Sequence, residues 1–290
     1  MSSRRGAGDR AEGSADTLGR FGVTIDEVQS KSILTPTGGF LHSFDYSLNP
    51  YFGCRFGCSY CYAASWVYDR NLRNNWGHWL KVKANAAALL EQAGARGKLA
   101  GTRVYMSSVT DPYQPEEHRA GVTRACLDVM VRYPPALLVV QTRSPLVARD
   151  VDLLERLGDH VLVAMSITTD DESVRRRLEP ACAPIAHRVA AITRLKQAGI
   201  RTQASVAPLL PCDPERLAEM LDGAVDRIVV STFTDDGGAG SKTRPLAHDV
   251  YRQQGWELRW LGEGYERPVV EALKRRLGER VSVGKAGFNV

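Results

Sequence analysis

Three of the six cysteines in the chain fall within eight residues, in the segment Asn49-Pro50-Tyr51-Phe52-Gly53-Cys54-Arg55-Phe56-Gly57-Cys58-Ser59-Tyr60-Cys61-Tyr62-Ala63. Their spacing is Cys-x3-Cys-x2-Cys. Thiolate sulfur is a soft ligand suited to iron–sulfur clusters and to zinc. Three thiolates converging from one loop match what a cuboidal iron–sulfur cluster requires, because the loop must fold around the cube. Gly53 and Gly57 allow backbone conformations that a side chain would forbid. A four-iron cluster has four corners, and this loop supplies three. Unless a distant cysteine fills the last corner, one iron stays open to another ligand. The competing readings are a Cys3His zinc knot and a chance grouping. Zinc loops usually come as two Cys or Cys/His pairs separated by a dozen or more residues. Here the nearest downstream histidine is His78, and Cys126, Cys182 and Cys212 stand alone.

A loop of this kind needs a scaffold, and 290 residues allow one large α/β domain or two small ones. Hydrophobic content of 43% and charged content of 24% are ordinary globular values, which excludes a wholly disordered or fibrous chain. The longest apolar runs, at Ala136 to Val140 and Val161 to Met165, fall far short of the ~20 residues of a membrane span. The early residues also lack a secretion signal, so a cytoplasmic protein with no membrane partner is expected. A cytosolic cysteine cluster points to metal rather than to disulfides. The formal charge of +5 is a weak pointer to an anionic partner.

Residues 1–30 are poor in apolar residues and read as a flexible tail. Beyond them, short apolar runs alternate with stretches of helical period. Thr102–Met106, Ala136–Gln141, His160–Ile167, Ile200–Val206 and Arg227–Val230 read as strands. Arg119–Val131, Leu146–Leu157, Ala186–Gln197 and Pro214–Leu221 read as helices between them. This alternation implies βαβ units and a parallel sheet, either doubly wound or curled toward a barrel. The core domain is placed at 31–236. A linker and C-terminal extension occupy 237–290, with Gly237, Gly238 and Gly240 leading to helices near 246–260 and 267–277 and a short strand at Val281–Val283.

At the cysteine triple, with an aromatic residue (Tyr60) just before the third cysteine, the chain resembles the radical S-adenosylmethionine (SAM) superfamily. Further segments are similar to its spore photoproduct lyase-like branch. They are Val109-Thr110-Asp111-Pro112-Tyr113-Gln114-Pro115-Glu116, Gln141-Thr142-Arg143-Ser144-Pro145-Leu146, Ser166-Ile167-Thr168-Thr169 with Leu178-Glu179-Pro180, and Ala207-Pro208-Leu209-Leu210-Pro211. The resemblance covers roughly residues 40 to 235. It implies an α/β fold: a partial (β/α)6 TIM-like barrel of the radical SAM type, here with a C-terminal helical extension, and the cluster loop after the first strand. It also implies a [4Fe-4S] cluster on Cys54, Cys58 and Cys61, S-adenosyl-L-methionine on the open iron, and a reducing electron donor of the flavodoxin or ferredoxin type. The chemistry implied is reductive cleavage of SAM to a 5′-deoxyadenosyl radical that abstracts hydrogen from a substrate.

Carried over position by position, the resemblance places Tyr60 against the adenine and Ser108, Thr110 and Asp111 near the SAM amino group. Arg143 meets the carboxylate, which a guanidinium can hold bidentately, and Ser166 meets the ribose or carboxylate. The residues themselves permit blander roles: a core tyrosine, an aspartate capping the turn before Pro112, a surface ion pair and strand-end capping. One departure bears on function. Spore photoproduct lyase donates hydrogen from a cysteine where this chain has Ser108, and a serine O–H bond is too strong to yield hydrogen to a carbon radical. Cys126 and Cys182 read as inert thiols, and Cys212 as a weak candidate for a relay. The segment Ser65 to Lys83 interleaves Trp66, Tyr68, Trp76 and Trp79 with basic residues. Such a pattern stacks bases in single-strand binders, but it also suits a packed helix and hairpin, which is the favoured reading. The Arg175-Arg176-Arg177 run reads as a solvated helix face. The substrate therefore stays open, with nucleic acid and a damaged-base repair reaction as the alternative to an unassigned hydrogen abstraction.

Overall fold

The computed structural model describes residues 22–234 and 240–288. Residues 1–21 of the expected tail, and Gly237 and Gly238 of the expected linker, lie outside the described residues. The strands, in chain order, are β1 (Thr24–Val28), β2 (Leu34–Pro36), β3 (Tyr46–Leu48), β4 (Tyr51–Phe52), β5 (Trp79–Lys83), β6 (Arg103–Met106), β7 (Leu137–Thr142), β8 (Val161–Ser166), β9 (Arg201–Val206), β10 (Arg227–Val230) and β11 (Val281–Val283). The helices are α1 (Tyr62–Ser65), α2 (Arg70–Asn74), α3 (Ala86–Ala95), α4 (Glu117–Ala120), α5 (Val122–Arg132), α6 (Val151–Leu157), α7 (Glu172–Leu178), α8 (Ile185–Gln197), α9 (Pro214–Leu221), α10 (Gly240–Gln253) and α11 (Arg267–Leu277).

The main sheet runs β11-β10-β9-β8-β7-β6-β3-β2. From β11 to β3 every pairing is parallel, and only β2 is antiparallel, to β3. Six parallel strands, β3 and β6–β10, make the expected (β/α)6 core. The edge strands β2 and β11 are not paired with each other, so the barrel is partial and open. Parallel strands covered on both faces carry unbroken apolar runs, and every residue of β8 (Val161-Leu-Val-Ala-Met-Ser166) is buried. One apolar layer lies between sheet and helices, including Met106, Val140, Met165, Ile192 and Val230. A smaller one, Phe44, Tyr105, Val139, Leu162 and Ala164, fills the other face of the strands. Among the described residues no helix is long and apolar enough to cross a membrane.

Several boundaries differ from those expected. The tail does not run to residue 30, because β1 pairs in parallel with β5 in a separate three-stranded sheet. The helix expected over 119–131 is two helices, α4 and α5, divided at Gly121 (φ 62°). The helix expected over 146–157 begins as a 3-10 turn at Pro145–Asp150, capped by Ser144 Oγ, and becomes α-helical only in α6. The extension is not helical alone: β11 joins β10 and prolongs the parallel sheet. Its first helix ends at Gln253, and residues 258–261 form a 3-10 turn.

Candidate active site

The cysteine loop leaves β3, the first strand of the barrel, and its shape is set by close backbone approach. Gly53 sits at φ 92°, and a Cβ there would lie 2.7 Å from the Trp79 ring. That ring is fixed, since Trp79 Nε1 donates to the Leu72 carbonyl at 2.6 Å. Gly57 (φ 56°) passes Gly77 closely enough that a Cβ on Gly77 would meet Gly57 Cα at 2.9 Å. The Trp-rich segment therefore packs beneath the loop through Trp76 and Trp79, while Tyr68 is fully exposed and Trp66 about half exposed.

Two walls hold the loop from the sides. The segment after β6 forms the first. Thr110 Oγ1 donates to the Gly53 carbonyl, Gln114 Oε1 accepts the Arg55 N–H at 3.0 Å, and Arg55 pairs with Glu116. Asn49 ties this wall to the start of the loop, accepting the Val109 N–H at 3.1 Å. The chain between α7 and α8 forms the second wall. The Ser59 N–H donates to the Leu178 carbonyl at 3.0 Å, and Tyr60 donates its hydroxyl to Glu179 Oε1 at 2.5 Å. The C-terminal extension covers the outer side. Tyr60, Phe233, Tyr251 and Trp256 stack edge to face with centroid separations of 6.1, 6.5 and 5.3 Å.

Of the expected strand-end residues, Ser108, Thr110 and Arg143 contact the loop or the turn after it, whereas Ser166 bonds to Gln141 and Arg188 instead. Ser108 is half-buried; its Oγ lies 3.4 Å from Asn49 Nδ2, and its carbonyl accepts the Tyr62 hydroxyl. Ser166 ends β8, and its Oγ accepts from Gln141 Nε2 at 2.9 Å. Asp111 is buried with its carboxylate fully engaged: Oδ1 accepts the Tyr113 N–H (2.9 Å) and Thr142 Oγ1 (2.7 Å), and Oδ2 accepts the Arg143 N–H (2.9 Å). It thus braces the ends of β6 and β7 together. Burial pushes its carboxyl up, against those hydrogen bonds.

Arg143 donates Nη1 to Tyr60 Oη (2.9 Å) and Glu179 Oε1 (2.8 Å). Its Nε and Nη2 bond to nothing among the described residues. Glu179 is fully buried and also accepts from Thr168 Oγ1 (2.8 Å) and pairs with Arg188 Nη1 (2.6 Å). Burial alone would raise the Glu179 carboxyl, but Arg188, Arg143 and the two hydroxyls hold it at about 2. Two guanidiniums and one carboxylate give the Arg143–Glu179–Arg188 triplet a net charge of +1, with the Asp111 carboxylate next to it on the Arg143 N–H.

Sequence reasoning missed Glu179, Arg188, Asn49 and Gln114 as parts of the site. It also missed Ser107, the one non-glycine with positive φ (73°) among the described residues, whose buried Oγ lacks a partner just past β6. Backbone strain of this kind clusters at functional sites. Arg175 is buried, not solvated: it donates to the carbonyls of Glu179 and Cys182. Of the remaining cysteines, Cys126 lies buried within α5 and Cys212 just before α9, but Cys182 Sγ is 3.8 Å from Cys58 Sγ.

All three loop cysteines are free thiols, Cys54 and Cys58 buried and Cys61 half-buried. Burial raises the Cys54 thiol and pushes Cys61 up to about 11, whereas the contact with Cys182 and the charges of Arg143 and Arg188 lower that of Cys58. Buried thiols of this kind ionise when a metal cation replaces the proton. Among the described residues no three His, Cys, Asp or Glu side chains converge on a point that one metal ion could fill. The donor set of the loop is all sulfur, which suits iron bound as an iron–sulfur cluster.

Comparison with known proteins agrees with this geometry. The family model described as "Radical SAM superfamily" matches residues 48–224. The uncharacterized protein MJ0683 of Methanocaldococcus jannaschii is 31% identical over 189 residues, covering 65% of this chain and 69% of that protein. The uncharacterized protein Rv2578c of Mycobacterium tuberculosis is 29% identical over 265 residues, 89% of this chain and 75% of that one. Among solved structures, spore photoproduct lyase complexed with dinucleoside spore photoproduct shares the fold with a TM-score of 0.64 at 15% identity, over 90% of this chain and 81% of its own. A lyase variant with bound AdoMet and the dinucleoside gives 0.63 at 15% identity, over 93% and 86%. The match spans more than half of the chain and includes the cysteine loop and the strand ends around it: the protein belongs to the radical SAM superfamily.

Proposed function

We propose that the chain holds a [4Fe-4S] cluster on Cys54, Cys58 and Cys61 and cleaves SAM reductively, so that the radical released abstracts hydrogen from a substrate at the strand ends. The carrying observation is a set of three free thiols on one glycine-shaped loop, beside the half-buried Arg143 guanidinium with an unused face. When bound, the cluster supplies an electron and an open iron, at which SAM yields methionine and a 5′-deoxyadenosyl radical.

The protein's own residues orient and enclose. Arg143, anchored through Nη1, keeps Nε and Nη2 for the SAM carboxylate. Tyr60 is proposed to face the adenine, and Ser108, Thr110 and Ser166 to contact the rest of SAM. Asp111 acts one step back by fixing the backbone of Arg143. The Phe233–Tyr251–Trp256 stack keeps water from the loop. A donor of the flavodoxin or ferredoxin type would deliver the electron. Because Ser108 stands where the lyase carries its donor cysteine, hydrogen return to a product radical must follow another route.

The test is anaerobic reconstitution with iron and sulfide, followed by dithionite and SAM. Four irons per chain and release of 5′-deoxyadenosine are expected. A fully reconstituted protein that never cleaves SAM refutes the reading.

One observation favours a second reading, a nucleic-acid-binding repair protein acting on a damaged base: Tyr68 is fully exposed and Trp66 half exposed beside Arg70 and Arg73. Exposed aromatics among cations are a stacking surface for single strands. Single-stranded DNA binding that falls steeply with salt and weakens in Tyr68→Ala would support it; no retention on DNA at low salt would remove it.

A further inference from the structure

The end of α7 and the segment between α7 and α8 touch the cysteine loop at three residues. Leu178 takes the Ser59 N–H, Glu179 takes the Tyr60 hydroxyl, and Cys182 lies against Cys58. The segment is itself pinned from behind by the buried guanidinium of Arg175, which donates to the carbonyls of Glu179 (3.1 Å) and Cys182 (2.9 Å). Arg188 Nε holds the Ala183 carbonyl at 2.9 Å. Cys182 is therefore held in place at Cys58 Sγ, and it is 5% exposed. A cysteine that ligates iron has lost its proton and can only accept. Across the 3.8 Å contact, the sole available donor is then the Cys182 S–H.

Resting on the four-iron reading above, we propose that this segment sets the reduction potential of the centre carried by Cys54, Cys58 and Cys61. Cys182 acts by donating its S–H to Cys58 Sγ, and the Arg143–Glu179–Arg188 triplet by holding one net positive charge beside it. A hydrogen bond to a ligating sulfur favours the more negative, reduced form and raises the potential; nearby charge acts in the same way according to its sign. Removing the S–H donor lowers the potential. Removing the negative charge of Glu179 raises it. Cys182 and Glu179 are positioning residues here, acting through Cys58 and Arg143 rather than on substrate.

The two opposite signs make the test. The full chain is reconstituted anaerobically, its iron and sulfide are counted, and the one-electron reduction by dithionite is followed by electron paramagnetic resonance at set potentials without SAM. A native chain that assembles no four-iron centre refutes the underlying reading, separately from this inference. With the native centre assembled, Cys182→Ala is expected to keep four irons and shift to more negative potential. At the native midpoint its reduced-to-oxidised ratio falls about twofold, the worth of one weak S–H hydrogen bond. Cys182→Ser, whose hydroxyl also donates, returns to the native midpoint or above, and Glu179→Gln moves to more positive potential. The inference is overturned if Cys182→Ala titrates at the native midpoint or if Glu179→Gln shifts in the same direction as Cys182→Ala. Loss of iron in both Cys182 variants also overturns it, since Cys182 would then be a ligand.

Discussion

Gly53→Ala tests whether the cysteine loop is shaped by close packing on Trp79. Two costs add. The backbone at φ 92° is one that side chains rarely adopt, worth about 1–3 kcal/mol. The new methyl would also fall 2.7 Å from Trp79 Cζ3 and 2.9 Å from the Trp79 carbonyl oxygen. Neither atom can retreat, because the indole is hydrogen-bonded to Leu72 and the carbonyl belongs to β5, which pairs with both β1 and β4. Overpacking of this kind adds about 1–3 kcal/mol. Gly199→Ala separates the two costs: at φ 80° with nothing within 4 Å of its Cβ, it carries the conformational cost alone. Guanidinium denaturation of both variants is expected to show Gly53→Ala less stable than Gly199→Ala by about 1–3 kcal/mol. Reconstitution should also leave Gly53→Ala short of iron, because Cys54 is the next residue. Equal stabilities together with a full complement of iron in Gly53→Ala would refute the packing argument.

Acid should weaken the fold through Glu179. Its folded pKa of about 2 lies below the ordinary 4.5, so its contribution is fully present above the unfolded value and is lost as pH falls through the folded one. The shift corresponds to about 3 kcal/mol; the stability gap between the native chain and Glu179→Gln should therefore narrow between pH 5 and pH 2 in denaturant titrations, and a constant gap would contradict it. Arg143→Met should raise the SAM Kd of the reconstituted protein about 10- to 100-fold, the worth of a charge-assisted hydrogen bond. Affinity for decarboxylated SAM should hardly change, so a parallel loss for both ligands would deny the carboxylate contact.

The parallel core was legible because β7, β8 and β10 are continuous apolar runs between helix patterns, a signal that survives without tertiary information. Boundaries failed where local chemistry overrode periodicity. Gly121 fits the apolar spacing of a helix from 119 to 131, yet its left-handed conformation divides α4 from α5. Thr24–Val28, lying next to the charged and Gly-rich start of the chain, has one mostly exposed face and gave no strand signal. Its partner β5 is 55 residues away, and only that pairing makes it a strand.

The site divided along the same line. Cys54, Cys58 and Cys61 could be read because their ligand spacing is local, whereas Glu179 reaches Tyr60 and Arg143 across 119 and 36 residues. A sequence signal did exist. Ile185, Arg188, Ile192 and Leu195 fall at the spacing of one apolar helix stripe, and all four are buried. An arginine inside such a stripe is a charge taken out of water, which persists only with a partner. Val174, Arg175 and Leu178 repeat the pattern one helix earlier, and Arg175 is buried against Glu172 and the carbonyls of the intervening loop. Two buried arginines flanking Leu178-Glu179-Pro180 demand acceptors from that segment. The only carboxylate between Arg175 and Arg188 is Glu179. The same rule identifies Arg143 as more than a surface ion pair: its carboxylate partner Glu179 is already shared with Arg188, and its Nε and Nη2 are left for an anionic ligand group at the strand ends.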